Sequence, residues 1–184
     1  MELEKPTFLG HSMGAITSLV LAGLFPDLPR AILLEDPPAF WMPSPGRNEA
    51  FLQGFYAWLE SNKRKTRDEL LNECRTQKPG WPEAEFNPWA DSKHRFSLRV
   101  AGLIDPPDMV SINFPELLKH ISCPVLFISA DPERGAASNE DAIAQLKEYV
   151  PQLQVAHIPQ AGHNIRCDQP TRYLEVVQQF LNGL

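Results

Sequence analysis

The feature that most constrains this chain is the pentapeptide Gly10-His11-Ser12-Met13-Gly14, which lies between two apolar segments. It fits the pattern G-x-S-x-G, in which a sharp turn from strand to helix exposes a serine at the carboxyl end of a sheet. The preceding Thr-Phe-Leu favours a strand, and residues 13–25 read as a buried helix that Pro26 ends. Glycine on both sides of the serine should remove clashes with the flanking strand and helix. The pattern therefore predicts an exposed nucleophile at Ser12.

Strand-like and helix-like segments alternate on both sides of this chain's middle part. Three apolar runs predict further strands, over residues 31–35, 124–129 and 153–158. We expect Ser138 to begin a helix that runs to about residue 150, and Asp168 to be the N-cap of the last helix. This alternation predicts the α/β class, with a mostly parallel sheet and flanking helices.

The stretch 37–115 differs from the rest, because it holds ten of the eighteen prolines and all four tryptophans. Helical spacing of apolar residues occurs between the prolines, and strand-like alternation does not. We therefore predict a helical insert at 37–115 between two parts of one α/β core, residues 1–36 and 116–184.

Charge and composition exclude several functional classes. The net charge of −6 argues against a nucleic-acid-binding protein, which would present a basic surface. No apolar run reaches the roughly eighteen residues of a membrane span, and the first residues lack the pattern of a secretory signal. Three widely spaced cysteines indicate neither a disulfide framework nor a zinc site. We expect a cytoplasmic protein with no metal, no cofactor, no nucleic-acid partner and no membrane partner.

The motifs together resemble the α/β-hydrolase superfamily, in its serine-nucleophile branch. The segment PTFLGHSMGA is similar to the fifth strand and nucleophile turn of that family, and RAILLEDPP to its sixth strand. CPVLFISADPE resembles the seventh strand, and AGHNI resembles the loop that carries the catalytic histidine. The resemblance implies that Ser12 is the nucleophile and that 37–115 is a helical cap or lid over the active site.

A serine hydroxyl needs a base to become a nucleophile, and the resemblance assigns this role to His163 in the AGHNI loop. The other histidines have weaker claims. We expect His11 to pack away from the nucleophile and His157 to lie inside a strand, while His94 and His120 have no partner suggested by spacing.

The acid that should orient the histidine has three candidates. In the family, this carboxylate most often follows the seventh strand, where Asp131 comes two residues early and Glu133 stands at the usual aspartate position. Some members take the acid from the end of the sixth strand, and Asp36 lies there. We rank Asp36 first, Asp131 second and Glu133 third. Strand alternation should turn Glu35 to the opposite face of the sheet.

Two further elements are expected around the serine. The backbone N–H of Met13 should provide one oxyanion donor, since it follows the nucleophile. Trp41 and Met42, at the start of the insert, are candidates for the wall of a pocket for an apolar acyl substrate.

The leading hypothesis is a serine hydrolase that cleaves an ester, lactone, thioester or activated C–C bond of a small apolar substrate through an acyl-enzyme. The alternative is a truncated or inactive member of the fold that binds a ligand without turnover. The family would carry about four strands, or about eighty residues, ahead of the nucleophile strand. We therefore expect a partial fold with an incomplete oxyanion hole, whose exposed strand edge could support self-association.

Overall fold

The chain divides into two compact units in the computed structural model, which describes residues 4–42, 49–99 and 112–184. One unit comprises Met1–Pro43 together with Ile112–Leu184, and the other comprises Ser44–Ser111. The sequence-based borders, at 36/37 and 115/116, lie a few residues outside this middle unit. Its role as a cap stays a prediction.

A four-stranded parallel sheet forms the centre of the first unit, in the order β1-β2-β3-β4. The strands are β1 (Thr7–His11), β2 (Ala31–Glu35), β3 (Val125–Ser129) and β4 (Leu153–His157). All three neighbouring pairs are parallel, and in register Gly10 lies beside Leu34 while Leu34 lies beside Phe127. This arrangement confirms the expected α/β class. Because all four strands run the same way, their carboxyl ends meet at one edge.

Within the described residues, eight α-helices accompany the sheet or build the middle unit: α1 (Met13–Leu24), α2 (Glu49–Arg64), α3 (Arg67–Gln77), α4 (Glu83–Arg95), α5 (Phe114–Leu118), α6 (Glu140–Tyr149), α7 (Ile165–Asp168) and α8 (Pro170–Asn182). A one-turn 3-10 helix spans Pro132–Arg134. No helix among the described residues is long and apolar enough to cross a bilayer.

Alternating side chains of β2 build a separate core on each face of the sheet. Ile32 and Leu34 join the core formed with α1, α5 and α6. Ala31 and Leu33 join the core formed with α7 and α8, where Tyr173 is buried. All five residues of β2 are buried, as expected for a strand covered on both faces.

The middle unit contains helices that the sequence indicates only in part. Thr66 caps α3 through a reciprocal capping box with Glu69. Helix α4 contains Pro88 and follows Pro82, and because proline normally disfavours a helix interior, the sequence pattern does not predict this helix. Pro88 is the sixth residue of α4, so it removes the hydrogen bond that an amide there would donate to the Ala84 carbonyl.

Two predicted helix caps are wrong. Asn139, rather than Ser138, caps α6, because its side chain accepts a hydrogen bond from the Ala142 amide. Asp168 is the last residue of α7, and α8 has no side-chain cap at its N-cap residue Gln169. Ser138 and Asp168 instead form hydrogen bonds around the candidate active site.

Candidate active site

Ser12 lies in a strained turn between β1 and α1. Its φ of 55° and ψ of −119° are rare for a residue with a side chain. The Ser12 amide donates to the Glu35 carbonyl at 2.9 Å, which holds the turn against the end of β2. A Cβ at Gly10 would meet the Gly14 carbonyl at 2.3 Å, so only glycine fits there. The same argument is wrong for Gly14, where an added Cβ would have no described atom within 4 Å.

The first turn of α1 begins directly after the serine. The Ser12 carbonyl accepts from the Ala15 and Ile16 amides, as at the start of a helix. Among the described residues, none accepts a hydrogen bond from the Met13 amide. Helix N-terminal amides of this kind favour negative charge nearby.

Asp36 follows β2 and is completely buried, with a φ of 41° that turns its side chain off the strand direction. Its carboxylate accepts from the Ala137 amide at 2.7 Å and from the Ser138 amide at 3.2 Å. The Ser138 hydroxyl donates in addition to the Pro37 carbonyl. This polar cage explains why Ser138 does not cap α6.

His163 approaches Asp36 from the loop between β4 and α7. Its Nδ1 lies 2.7 Å from Asp36 Oδ2, while the side chain is 34% exposed. Because an ionised carboxylate only accepts, this contact places a proton on Nδ1 and leaves Nε2 available as a base. The structure thus brings together the first-ranked acid candidate and the expected base.

The loop that carries His163 is held by close backbone contacts. A Cβ at Gly162 would meet the Arg134 carbonyl at 2.3 Å, so the loop packs directly on the 3-10 helix. The Gly162 amide donates to Asp168 Oδ2 at 2.8 Å. The carboxylate that was expected to cap α8 therefore holds the histidine loop. Gln160 has a φ of 63° and donates its amide to Asp131 at 2.7 Å.

The other two acid candidates face elsewhere. Asp131 contacts His157 Nε2 at 3.0 Å and Arg134 Nε at 3.6 Å, besides the Gln160 amide. Glu133 lies exposed in the 3-10 helix. Asp131 therefore supports the backbone of the histidine loop, and its partner is His157 rather than His163. His157 lies in β4, as expected, and its side chain is 52% exposed at the end of that strand.

His11 has a contact that sequence reasoning missed. Its Nε2 donates to the His163 carbonyl at 2.7 Å, and the two imidazole rings lie 4.6 Å apart. Burial lowers the pKa of His11 below its usual value, which keeps the ring neutral near pH 7. The position of His11 beside the serine was visible in the sequence, but its partner lies 152 residues away.

The two expected pocket residues lie at the start of the segment after β2. Trp41 is only 2% exposed, donates from Nε1 to the Ala142 carbonyl at 2.7 Å and packs edge-on against Phe127. Its indole is thus used in the core of the first unit, which argues against substrate contact. Met42 is partly buried against the same core, and its contact with substrate stays a prediction.

Among the described residues, no three His, Cys, Asp or Glu side chains are grouped so that they could hold a metal ion. The polar groups at the carboxyl edge of the sheet are a serine in a strained turn, a helix N-terminus and a histidine bonded to a buried carboxylate. This set is suited to nucleophilic acyl transfer.

A parallel sheet with this turn after a strand and a histidine loop after the last strand defines an α/β-hydrolase fold. The chain belongs to the alpha/beta hydrolase family, whose model matches residues 2–176.

Curated relatives include the N-formylmaleamate deformylase of Pseudomonas putida, which is 26% identical over 182 residues. That alignment covers 98% of this chain and 65% of the relative. The sn-1-specific diacylglycerol lipase ABHD11 of Mus musculus is 24% identical over 181 residues, covering 94% of this chain and 58% of the lipase. The chain therefore spans less than two thirds of the length of these two relatives.

Solved structures share the fold at lower identity. A crystal structure of E-2-(acetamidomethylene)succinate hydrolase superposes with a TM-score of 0.67 and 18% identity, covering 97% of this chain and 67% of that one. A thioesterase domain from the curacin biosynthetic pathway gives a TM-score of 0.65 at 18% identity, covering 96% of this chain and 67% of that one.

Proposed function

We propose that this protein hydrolyses a carboxylic acyl bond through an acyl-enzyme on Ser12, with His163 as general base and Asp36 as the acid that orients it. The observation that carries the proposal is the 2.7 Å contact between His163 Nδ1 and the buried Asp36 carboxylate. That contact sets the tautomer in which Nε2 can accept a proton. The contact lies in the same unit as Ser12, whose positive φ of 55° is typical of the strained turn that presents a nucleophile.

The reaction begins when Ser12 Oγ attacks the substrate carbonyl carbon and its proton passes to His163 Nε2. The imidazolium then gives this proton to the leaving group as the tetrahedral intermediate collapses to an acyl-serine. Water attacks the acyl-serine while Nε2 takes one of its protons, and collapse of the second intermediate returns that proton to Ser12. Asp36 stays ionised throughout and stabilises the imidazolium.

The oxyanion of each tetrahedral intermediate needs amide donors. The Met13 amide supports this role, because it follows the nucleophile and donates to no described residue. No hydrogen bond joins the Ser12 hydroxyl to the His163 imidazole within the part of the chain that the structure describes. Such catalytic contacts often tighten only when substrate binds.

The substrate is proposed as a class. The names of the relatives include a deformylase, a diacylglycerol lipase and a thioesterase domain, which act on amide, ester and thioester bonds. All three bond types place a carbonyl carbon beside a heteroatom leaving group, and that is what an activated serine attacks. We therefore propose an ester, lactone, thioester or amide substrate. The names of these relatives do not support an activated C–C bond.

A fluorophosphonate probe tests the proposal on the complete protein, because it phosphonylates only an activated serine. We expect labelling at Ser12 that Ser12→Ala abolishes and His163→Ala weakens. Ser18→Ala is the matched control, since Ser18 is a buried serine of α1 whose hydroxyl donates to the Gly14 carbonyl. A folded protein that resists the probe would contradict a serine hydrolase and favour ligand binding without turnover.

A further inference from the structure

Two adjacent carboxylates, Glu35 at the end of β2 and Asp36 directly after it, are both 0% exposed. Asp36 belongs to the proposed triad, whereas Glu35 has no part in the reaction described above. We propose that Glu35 is a positioning residue: it anchors the start of α7 and so holds His163 in line with Asp36. The inference rests on the proposed function and adds a residue to it.

The side chain of Glu35 makes three hydrogen bonds, two of them to one residue of α7. Glu35 Oε1 accepts from the Arg166 amide at 3.1 Å and from Arg166 Nη1 at 3.3 Å. Oε2 accepts from the Tyr173 hydroxyl at 3.2 Å. Arg166 is three residues beyond His163, so the carboxylate is bound to the same short segment that carries the imidazole.

The two carboxylates contact this segment from different sides. Glu35 follows Ala31 and Leu33 on the face of β2 whose core includes Ile165 and Tyr173. Asp36 instead lies among the amides that follow the 3-10 helix and bonds the imidazole itself. Two consecutive residues, the last of β2 and the one after it, thus contact His163 and Arg166 of one short segment and fix how this segment is oriented.

The backbone of Glu35 adds a link to the nucleophile. Its carbonyl accepts from the Ser12 amide at 2.9 Å, next to the His11 side chain that bonds the His163 carbonyl. A single residue therefore contacts the serine turn through its main chain and the histidine segment through its side chain.

Packing alone does not account for a carboxylate at this position. Burying a charge carries a large desolvation cost, and an apolar side chain of similar size would avoid that cost. The Arg166 guanidinium, which is 42% exposed, supplies the opposite charge. Burial, and then the charge of Glu35, raise the pKa of Tyr173 well above its usual value, so the phenol keeps its proton and donates. Each oxygen of the Glu35 carboxylate thus accepts at least one hydrogen bond.

The experiment compares Glu35→Gln with Tyr173→Phe in the complete protein. Glutamine keeps the shape but has one acceptor oxygen and no charge, so the hold on Arg166 weakens in either amide orientation. Tyr173→Phe is the matched control, because it removes one hydrogen bond to the same carboxylate and keeps both bonds between Glu35 and Arg166 of α7. We expect Glu35→Gln to lower kcat by about ten- to a hundredfold, as a small misplacement of a catalytic group does, with KM changed by less than about twofold. Tyr173→Phe should keep kcat within about threefold of the wild-type value, although it should lower Tm by about as much as Glu35→Gln does.

A spectroscopic readout separates this inference from the proposed function. The proton of the short His163 Nδ1–H to Asp36 contact should give a downfield NMR resonance whether or not the protein turns over substrate. We expect Glu35→Gln to shift or broaden it and Tyr173→Phe to leave it in place. If the wild-type protein takes no fluorophosphonate label, the hydrolase proposal fails and this resonance alone decides the positioning role.

Two results would overturn the inference. One is a folded Glu35→Gln protein with wild-type kcat and an unchanged resonance. The other is a Tyr173→Phe protein that loses as much kcat as Glu35→Gln, because the cluster would then matter only for stability. If Glu35→Gln does not fold, Arg166→Met replaces it, since this partly exposed side chain can be changed while its amide remains. That variant should lower kcat severalfold and shift the resonance, and a wild-type result in both would refute the role.

Discussion

Replacing Asp36 by asparagine tests the arrangement of the site most directly, since it changes a single atom in a side chain that is completely buried. The carboxylate accepts three hydrogen bonds: Oδ2 accepts from the Ala137 amide and from His163, and Oδ1 accepts from the Ser138 amide. Asparagine has one acceptor oxygen, so its amide group must face at least one of these donors.

The better orientation keeps the oxygen on the Ala137 amide and His163, both at 2.7 Å, and turns the NH2 group to the weaker Ser138 contact at 3.2 Å. The histidine tautomer survives in this orientation, but the negative charge is lost. A carboxylate about 4 Å from the imidazolium charge contributes about 4 kcal/mol at an effective dielectric constant of about 20. That corresponds to about a thousandfold in kcat. The unpaired Ser138 amide should cost about 1–3 kcal/mol of stability.

The assay is hydrolysis of a panel of chromogenic esters, with circular dichroism to verify folding. We expect Asp36→Asn to lower kcat about a thousandfold while the protein stays folded. Asp131→Asn is the matched control, because Asp131 bonds the Gln160 amide of the same loop and the His157 imidazole, but not the His163 imidazole. It should cost less than about tenfold, the value of roughly one hydrogen bond. A folded Asp36→Asn protein with near wild-type kcat would refute the reasoning, as would a larger loss from Asp131→Asn.

Two further predictions concern the serine turn and its neighbour. Gly10→Ala should destabilise the fold by about 1–3 kcal/mol or more, because its Cβ would meet the Gly14 carbonyl at 2.3 Å. Gly14→Ala should be neutral or stabilising by up to about 1 kcal/mol, and urea denaturation that ranks the two variants in the opposite order would contradict the steric argument. Burial lowers the pKa of His11 from its usual 6.5, so below that pH the unfolded chain takes up a proton before the folded one does. Stability should therefore fall as the pH drops from 7 to 5.5, and by less in His11→Gln; equal losses of Tm in both proteins would exclude His11 as the cause.

The local sequence was sufficient for the elements next to the serine. The run Thr7–Phe25 predicts a strand, a turn and a helix, and the structure has β1 and α1 there. The strand over Ala31–Glu35 was predicted to the residue. These segments could be predicted because a run of four apolar residues that prolines soon follow, and an apolar helix ended by Pro26, each carry their signal in adjacent residues.

Helix ends and proline-rich helices were harder to predict. Asn139 and Ser138 both suit an N-cap, and the choice between them depends on the Pro37 carbonyl, which takes the Ser138 hydroxyl. Helix α4 continues through Pro88, although proline inside a helix removes one backbone hydrogen bond. Local sequence predicts neither outcome, because the choice of cap depends on a carbonyl that is distant in the chain, and the residue before a proline normally favours the end of a helix.

By itself, the sequence determined the α/β class and the turn that presents Ser12, since each depends on residue types within a few positions. The histidine loop was identified by the resemblance of AGHNI to the corresponding loop of the α/β-hydrolase family. Only the tertiary structure decided which carboxylate meets His163, and it added the contacts of His11 and Glu35. The parallel sheet places the carboxyl ends of β2, β3 and β4 at one edge. The sequence pattern therefore puts both Asp36 and Asp131 near the histidine loop and does not choose between them. The backbone turn at Asp36, with its φ of 41°, and the amides of residues 137 and 138 aim that carboxylate at the imidazole, 127 residues away.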